Sequence, residues 1–243
     1  MDNKQNLLIF KIFALFVMVS ITKAHAIALL FALLALVCTI ISFSTYWYKV
    51  EASVGGADLK VLISFMKENT QTRGIDQTKS WYESGKRNRE RAIYGVCIAF
   101  VILSFISLLY VLVMGLIGAL GGLNRFTKLR ANLSIRLMNI VSMLFLLIAV
   151  LAFIRLPQST NDDCKSNGPV YFPCNLYGCD SFYGGQSVNN DSFHWTPYIG
   201  WGFAIVAAFF NAFSVVISFF VSFQNTTGGA TTTPSKDYQE QLE

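Results

Sequence analysis

Charged residues are scarce. Only 14% of the 243 residues are Asp, Glu, Lys or Arg, against roughly 25% in an average soluble domain, too few to cover a water-facing surface of this size. That argues against a soluble single-domain enzyme. Five cysteines and five prolines exclude a disulfide-dense secreted scaffold and a Pro-rich disordered chain. The chain lacks H-E-x-x-H, G-x-S-x-G and a P-loop, and neither of its two histidines stands near an acid in an apolar run, so no enzymatic activity and no cofactor are expected. The formal charge of +5 is no nucleic-acid footprint, because long apolar runs separate the basic residues that would have to share one face.

Apolar sequence is abundant, at 53% with a mean hydropathy of +0.48. Four runs, at about 26–48, 92–122, 134–154 and 198–223, have the length to cross a bilayer, whose hydrocarbon core of roughly 30 Å needs about 20 apolar helical residues. None contains a proline, as continuous backbone hydrogen bonding in lipid requires. The expected fold is therefore an all-α membrane protein. It is a four-transmembrane-helix bundle over residues 26–223, with outer loops at about 49–91 and 155–197 and a small β-hairpin-containing extracytoplasmic region.

Residues 7–21, followed by Ala24-His25-Ala26, have the layout of a signal peptide with an A-x-A cleavage site. Lys11 interrupts that run, however, and cleavage after Ala26 would leave a chain beginning inside span one. Residues 1–25 are read instead as a cytoplasmic or interfacial segment with Lys11 and Lys23 at headgroup level. Residues 224–243 have almost no apolar content and are read as a disordered cytoplasmic tail.

An even number of spans puts both termini on one face. That face carries eight cations against four carboxylates, +4, and the opposite face eleven against ten, +1. LNRFTKLRANLSIR, with four cations and no acid, marks the cytoplasmic side by the positive-inside rule; KRNRER at 86–91 is a basic cluster on the opposite face. The expected location is a plasma membrane or endomembrane, with cytoplasmic termini.

In the first loop, YWYKVEAS and LKVLISFM flank a Gly55-Gly56 turn and read as a hairpin. The second loop, dense in Gly, Asn, Pro and aromatics, reads as turn-rich and packed on the first. It holds Cys164, Cys174 and Cys179, which allow one disulfide and leave one thiol over, and the sequon Asn190-Asp191-Ser192 as a glycosylation candidate. The spacing of the three cysteines with His194 matches no familiar zinc site, so no metal is expected. Trp47, Trp195 and Trp201 are read as interfacial anchors.

Within the spans, Gly200, Ala204 and Ala208 recur along one face of span four, and Gly115, Gly118 and Gly122 end span two. Small residues at this spacing let helix backbones approach closely. Arg136, Asn139 and Asn211 are the polar intramembrane candidates, and no span holds an Asp or Glu.

Ser44-Thr45-Tyr46-Trp47-Tyr48, with its Trp just beyond span one, and the hairpin run to Met66 resemble the claudin and peripheral-myelin-protein-like four-span (tetraspan) group. That group's first loop also carries a G-L-W-like motif and a disulfide pair, and this first loop has no cysteine. The Cys-Cys-Gly motif of tetraspanins is missing too, and the tail ends Gln241-Leu242-Glu243, without an apolar C-terminus. The expected function is that of a non-enzymatic membrane organiser, adhesion protein or accessory subunit acting through its outer loops. The alternative is an oligomeric channel or transporter. Expected partners are the bilayer and either a membrane protein or further copies of this chain.

Overall fold

Four helices long and apolar enough to cross a membrane carry a six-stranded antiparallel sheet at one end. The computed structural model describes residues 23–72, 75–80, 88–119, 125–167, 181–188 and 191–227. Among these the helices are α1 (Lys23–Ser44), α2 (Asn88–Ala119), α3 (Arg125–Ile154), α4 (Leu156–Asn167) and α5 (Ile199–Thr227). The strands are β1 (Tyr48–Val54), β2 (Ala57–Ile63), β3 (Lys67–Thr72), β4 (Ile75–Ser80), β5 (Gly184–Val188) and β6 (Asp191–Pro197).

The spanning helices are α1, α2, α3 and α5, and their side-chain pattern inverts that of a soluble bundle. On α1 the buried positions are mostly small, Ala28, Ala32, Ala35, Cys38, Thr39 and Ser42 beside Leu36, while Leu30, Leu33, Val37 and Ile40 face outward. Lipid removes the hydrophobic force between helices, so close packing of small residues holds them and large aliphatic side chains meet the acyl chains. The most extensive helix contacts are α1 with α5 and α2 with α3, and α4 packs on α2.

The sheet order is β4-β3-β2-β1-β6-β5. Gly55 and Gly56, at φ 57° and 78°, join β1 to β2 in a two-residue turn with both central residues at positive φ, the twist a tight hairpin needs. The second connection supplies β5 and β6, and β6 pairs with β1 from Tyr48↔Pro197 to Ser53↔Ser192. The packing of loop two on loop one is thus a backbone ladder.

The structure corrects the expectation of an all-α fold with one small hairpin: the chain is mostly helical, but both connections contribute to one continuous sheet. Helix α1 stops at Ser44, short of residue 48, because the chain turns there to enter β1. The second connection opens with a helix, α4, whose buried Leu156, Ser159 and Asp163 share one face. Two of these three are polar, so no apolar period announces the helix. Helix α5 continues to Thr227, into the stretch read as tail.

Candidate functional site

Two features stand out, the joint between sheet and bundle and a polar chain inside the bundle. At the joint, helix ends exchange the backbone groups that helices leave unpaired. The first donors of α5 go to the chain leaving α1: Tyr198 N–H to the Trp47 carbonyl at 2.7 Å and Gly200 N–H to the Tyr46 carbonyl at 2.8 Å. Trp47 Nε1 donates back to the Ser42 carbonyl, in the last turn of α1, at 2.8 Å. The N-terminus of α2 is closed from α4, where Asp163 accepts the backbone N–H groups of Arg89 at 3.0 Å and Glu90 at 2.9 Å. Asp162 beside it pairs with the Arg89 guanidinium at 2.8 Å.

An aromatic cluster fills the joint. Phe153, at the end of α3, meets Trp47 edge-on at 4.9 Å between centroids, Tyr94 at 5.5 Å and Phe182 at 5.7 Å. Trp47 is fully buried and Trp195 is 8% exposed. Neither is the interfacial anchor its sequence position suggests, because Trp47 is enclosed by Phe65 and Phe153 and Trp195 lies within β6 against Gly184; Trp201 is half-buried against Phe182 at 5.2 Å.

The second feature is a hydrogen-bonded chain that touches all four spans. Ser214 of α5 donates to the Ala28 carbonyl of α1 at 3.0 Å and accepts from Asn139 Nδ2 of α3 at 2.8 Å. Asn211 Nδ2 donates to Ser142 Oγ at 3.0 Å, and Ser142 bonds Ser104 Oγ of α2 at 2.8 Å. Asn139, Ser142, Asn211 and Ser104 are all fully buried. The Oδ1 atoms of both asparagines have no hydrogen-bond partner among the described residues, so the chain is short of donors.

The structure brings Asn139 and Asn211 together, while Arg136 stands nearer the end remote from the sheet, its guanidinium 5.8 Å from the Phe219 ring centroid. The small residues separate into different tasks. A Cβ on Gly200 would collide with the Trp47 ring and the Tyr46 carbonyl, and one on Gly115 would meet the Leu29 side chain of α1. Ala204 packs in the aromatic cluster and Ala208 beside Cys38 and Leu146. Gly118 lies half-buried on α2, and Gly122 is outside the described residues. Cys174, Cys179 and Asn190 are likewise outside them. Cys164 lies on α4 with its side chain undescribed, so no bridge or glycan is supported there. The described cysteines, Cys38 and Cys97, are buried free thiols.

No family model and no curated protein matches the chain. The claudin-like resemblance therefore rests on four candidate spans plus a sheet, an arrangement compatible with a tetraspan protein. Asp163 escaped sequence reading because an acid capping another helix leaves no local spacing signal. The D-D pair that begins eight residues after the apolar end of α3 is the nearest thing to one.

Proposed function

We propose that the chain is a non-enzymatic multi-pass membrane protein of tetraspan type that acts as an organiser, adhesion protein or accessory subunit, using its sheet as the recognition surface. The observation that carries this reading is the polar β3–β4 hairpin. KENTQT and IDQTKS extend the sheet away from the bundle, and β4 is exposed at every position. Such a strand adds nothing to the core, and Ile75 at 64% and Met66 at 58% exposure place apolar groups beside it. Exposed apolar side chains set among polar ones suit a protein contact.

The reading puts the sheet outside the cytoplasm, supported by the cations that begin α3 at the other end, Arg125, Lys128, Arg130 and Arg136. Cys164, Cys174, Cys179 and Asn190 then face an oxidising, glycosylating compartment. The deciding experiment is cross-linking through a photoreactive residue at Ile75 in native membranes. Capture of one membrane protein or of a second copy, lost when β3–β4 is replaced by a short Gly-Ser turn, supports the proposal; no adduct above an unlabelled background sinks it.

The polar chain through all four spans favours a second reading, an oligomeric channel or transporter. Reconstituted protein that passes ions or small solutes, with flux altered by Asn139→Leu, would favour it over the first.

A further inference from the structure

Three residues from three helices lie at one depth, at the end of the bundle remote from the sheet. His25 lies 19 residues before the end of α1, Arg136 lies 18 before the end of α3, and Phe219 lies 20 after the start of α5. At 1.5 Å per residue these are about 27–30 Å from the sheet end, the thickness of a hydrocarbon core. They stand at the boundary between acyl chains and headgroups.

Arg136 is half-buried there, with Nε shielded from solvent and without a hydrogen-bond partner among the described residues. Its guanidinium lies 5.8 Å from the Phe219 ring centroid. The eight described carboxylates are elsewhere: Glu51, Asp58, Glu68, Asp76 and Asp191 in the sheet, Glu90, Asp162 and Asp163 at the joint. The sequence from residue 92 to 161 contains no acid at all, while Arg125, Lys128 and Arg130 precede Arg136. A guanidinium held at this depth with no counter-charge among the described residues calls for an anion. A planar fork of donors matches phosphate oxygens in particular.

We propose that Arg136, with Phe219 as its platform, binds the phosphate of an anionic phospholipid in the leaflet remote from the sheet. The lipid's acyl chains lie along the exposed aliphatic faces of the spans, and its phosphate accepts from the terminal Nη groups of the guanidinium, the end that the protein leaves open. The site does not depend on which side of the membrane that leaflet faces.

The test uses the full chain purified in a mild detergent, its thermal unfolding followed by tryptophan fluorescence. Phosphatidylcholine alone, phosphatidylcholine with phosphatidic acid, and soluble inorganic phosphate are added in turn. The expected result is stabilisation by phosphatidic acid beyond that by phosphatidylcholine, with apparent affinity weakened about fivefold in Arg136→Gln, the loss of one basic residue's interaction near a charged surface. Arg155→Gln, which changes an exposed cation at the sheet end, is expected to leave the preference intact. Arg136→Lys keeps the charge and loses the fork; it is expected to fall between wild type and Gln, and it decides the matter if Gln prevents folding. Equal stabilisation by both lipids, an unchanged preference in the Arg136 variants, or equal protection by free phosphate would overturn the assignment.

Discussion

Asp163, on the short helix after the third span, accepts the backbone N–H of Glu90 at 2.9 Å and closes the first turn of the second span from a distant part of the chain. An acid at this position satisfies donors that the helix leaves unpaired and complements the positive end of its dipole. Because Asp163 is buried, its removal would also strand those donors out of water. Asp163→Ala is expected to destabilise the protein by about 1–3 kcal/mol, with Asp163→Asn costing less. Thermal unfolding in detergent measures both. Equal and negligible shifts would show that water replaces the cap.

Gly200 and Gly115 are both small residues on spanning helices, yet their substitution should differ in size. A methyl at Gly200 meets the Trp47 ring and a backbone carbonyl, which cannot yield without moving the joint; the cost expected for Gly200→Ala is about 1–3 kcal/mol. At Gly115 the obstacle is the end of the Leu29 side chain, and alanine gains about 1 kcal/mol of helix propensity. Gly115→Ala is therefore expected to unfold near the wild-type temperature while Gly200→Ala unfolds well below it.

Trp47→Phe keeps most of the buried ring and loses the Nε1 bond to the Ser42 carbonyl. The expected cost is about 1–2 kcal/mol, rising to about 3–5 kcal/mol for Trp47→Ala. Protease accessibility of the sheet, followed beside the unfolding temperature, should increase in the Ala variant first.

The polar chain inside the bundle invites a double-mutant cycle. Ser104→Ala and Ser142→Ala, singly and together, should show a coupling of about 0.6 kcal/mol, the average for hydrogen bonds between membrane helices. No coupling would mean that the two hydroxyls bond their own helix backbones instead.

The presence of four helices long and apolar enough to cross a membrane was readable from hydrophobicity, and the Gly55-Gly56 turn from local chemistry. The extent of the sheet was not. Strand β3 is polar and half-buried at all but its first position, and β4 is exposed throughout, so alternation carries no signal there. Helix α4 has a buried face made of Leu156, Ser159 and Asp163, which looks hydrophilic in sequence. Asn139 and Asn211 were recognisable as polar residues inside spans, but their meeting through Ser142 depends on how α3 and α5 face each other, and no single helix encodes that. Trp47 was misread for the same reason: a Trp just beyond a span is an interfacial anchor in isolation and a core residue once Phe65 and Phe153 enclose it.

The β1–β6 ladder runs directly into α1 at one strand's start and α5 at the other's end, and those two helices lie side by side. Together they form a single strut from the bilayer into the middle of the sheet. The sheet's central pair is thereby anchored to the closest-packed pair of helices. The β3–β4 hairpin joins the ladder through β2, two strands out from that strut, so the part of the sheet offered to a partner is the part the bundle braces least.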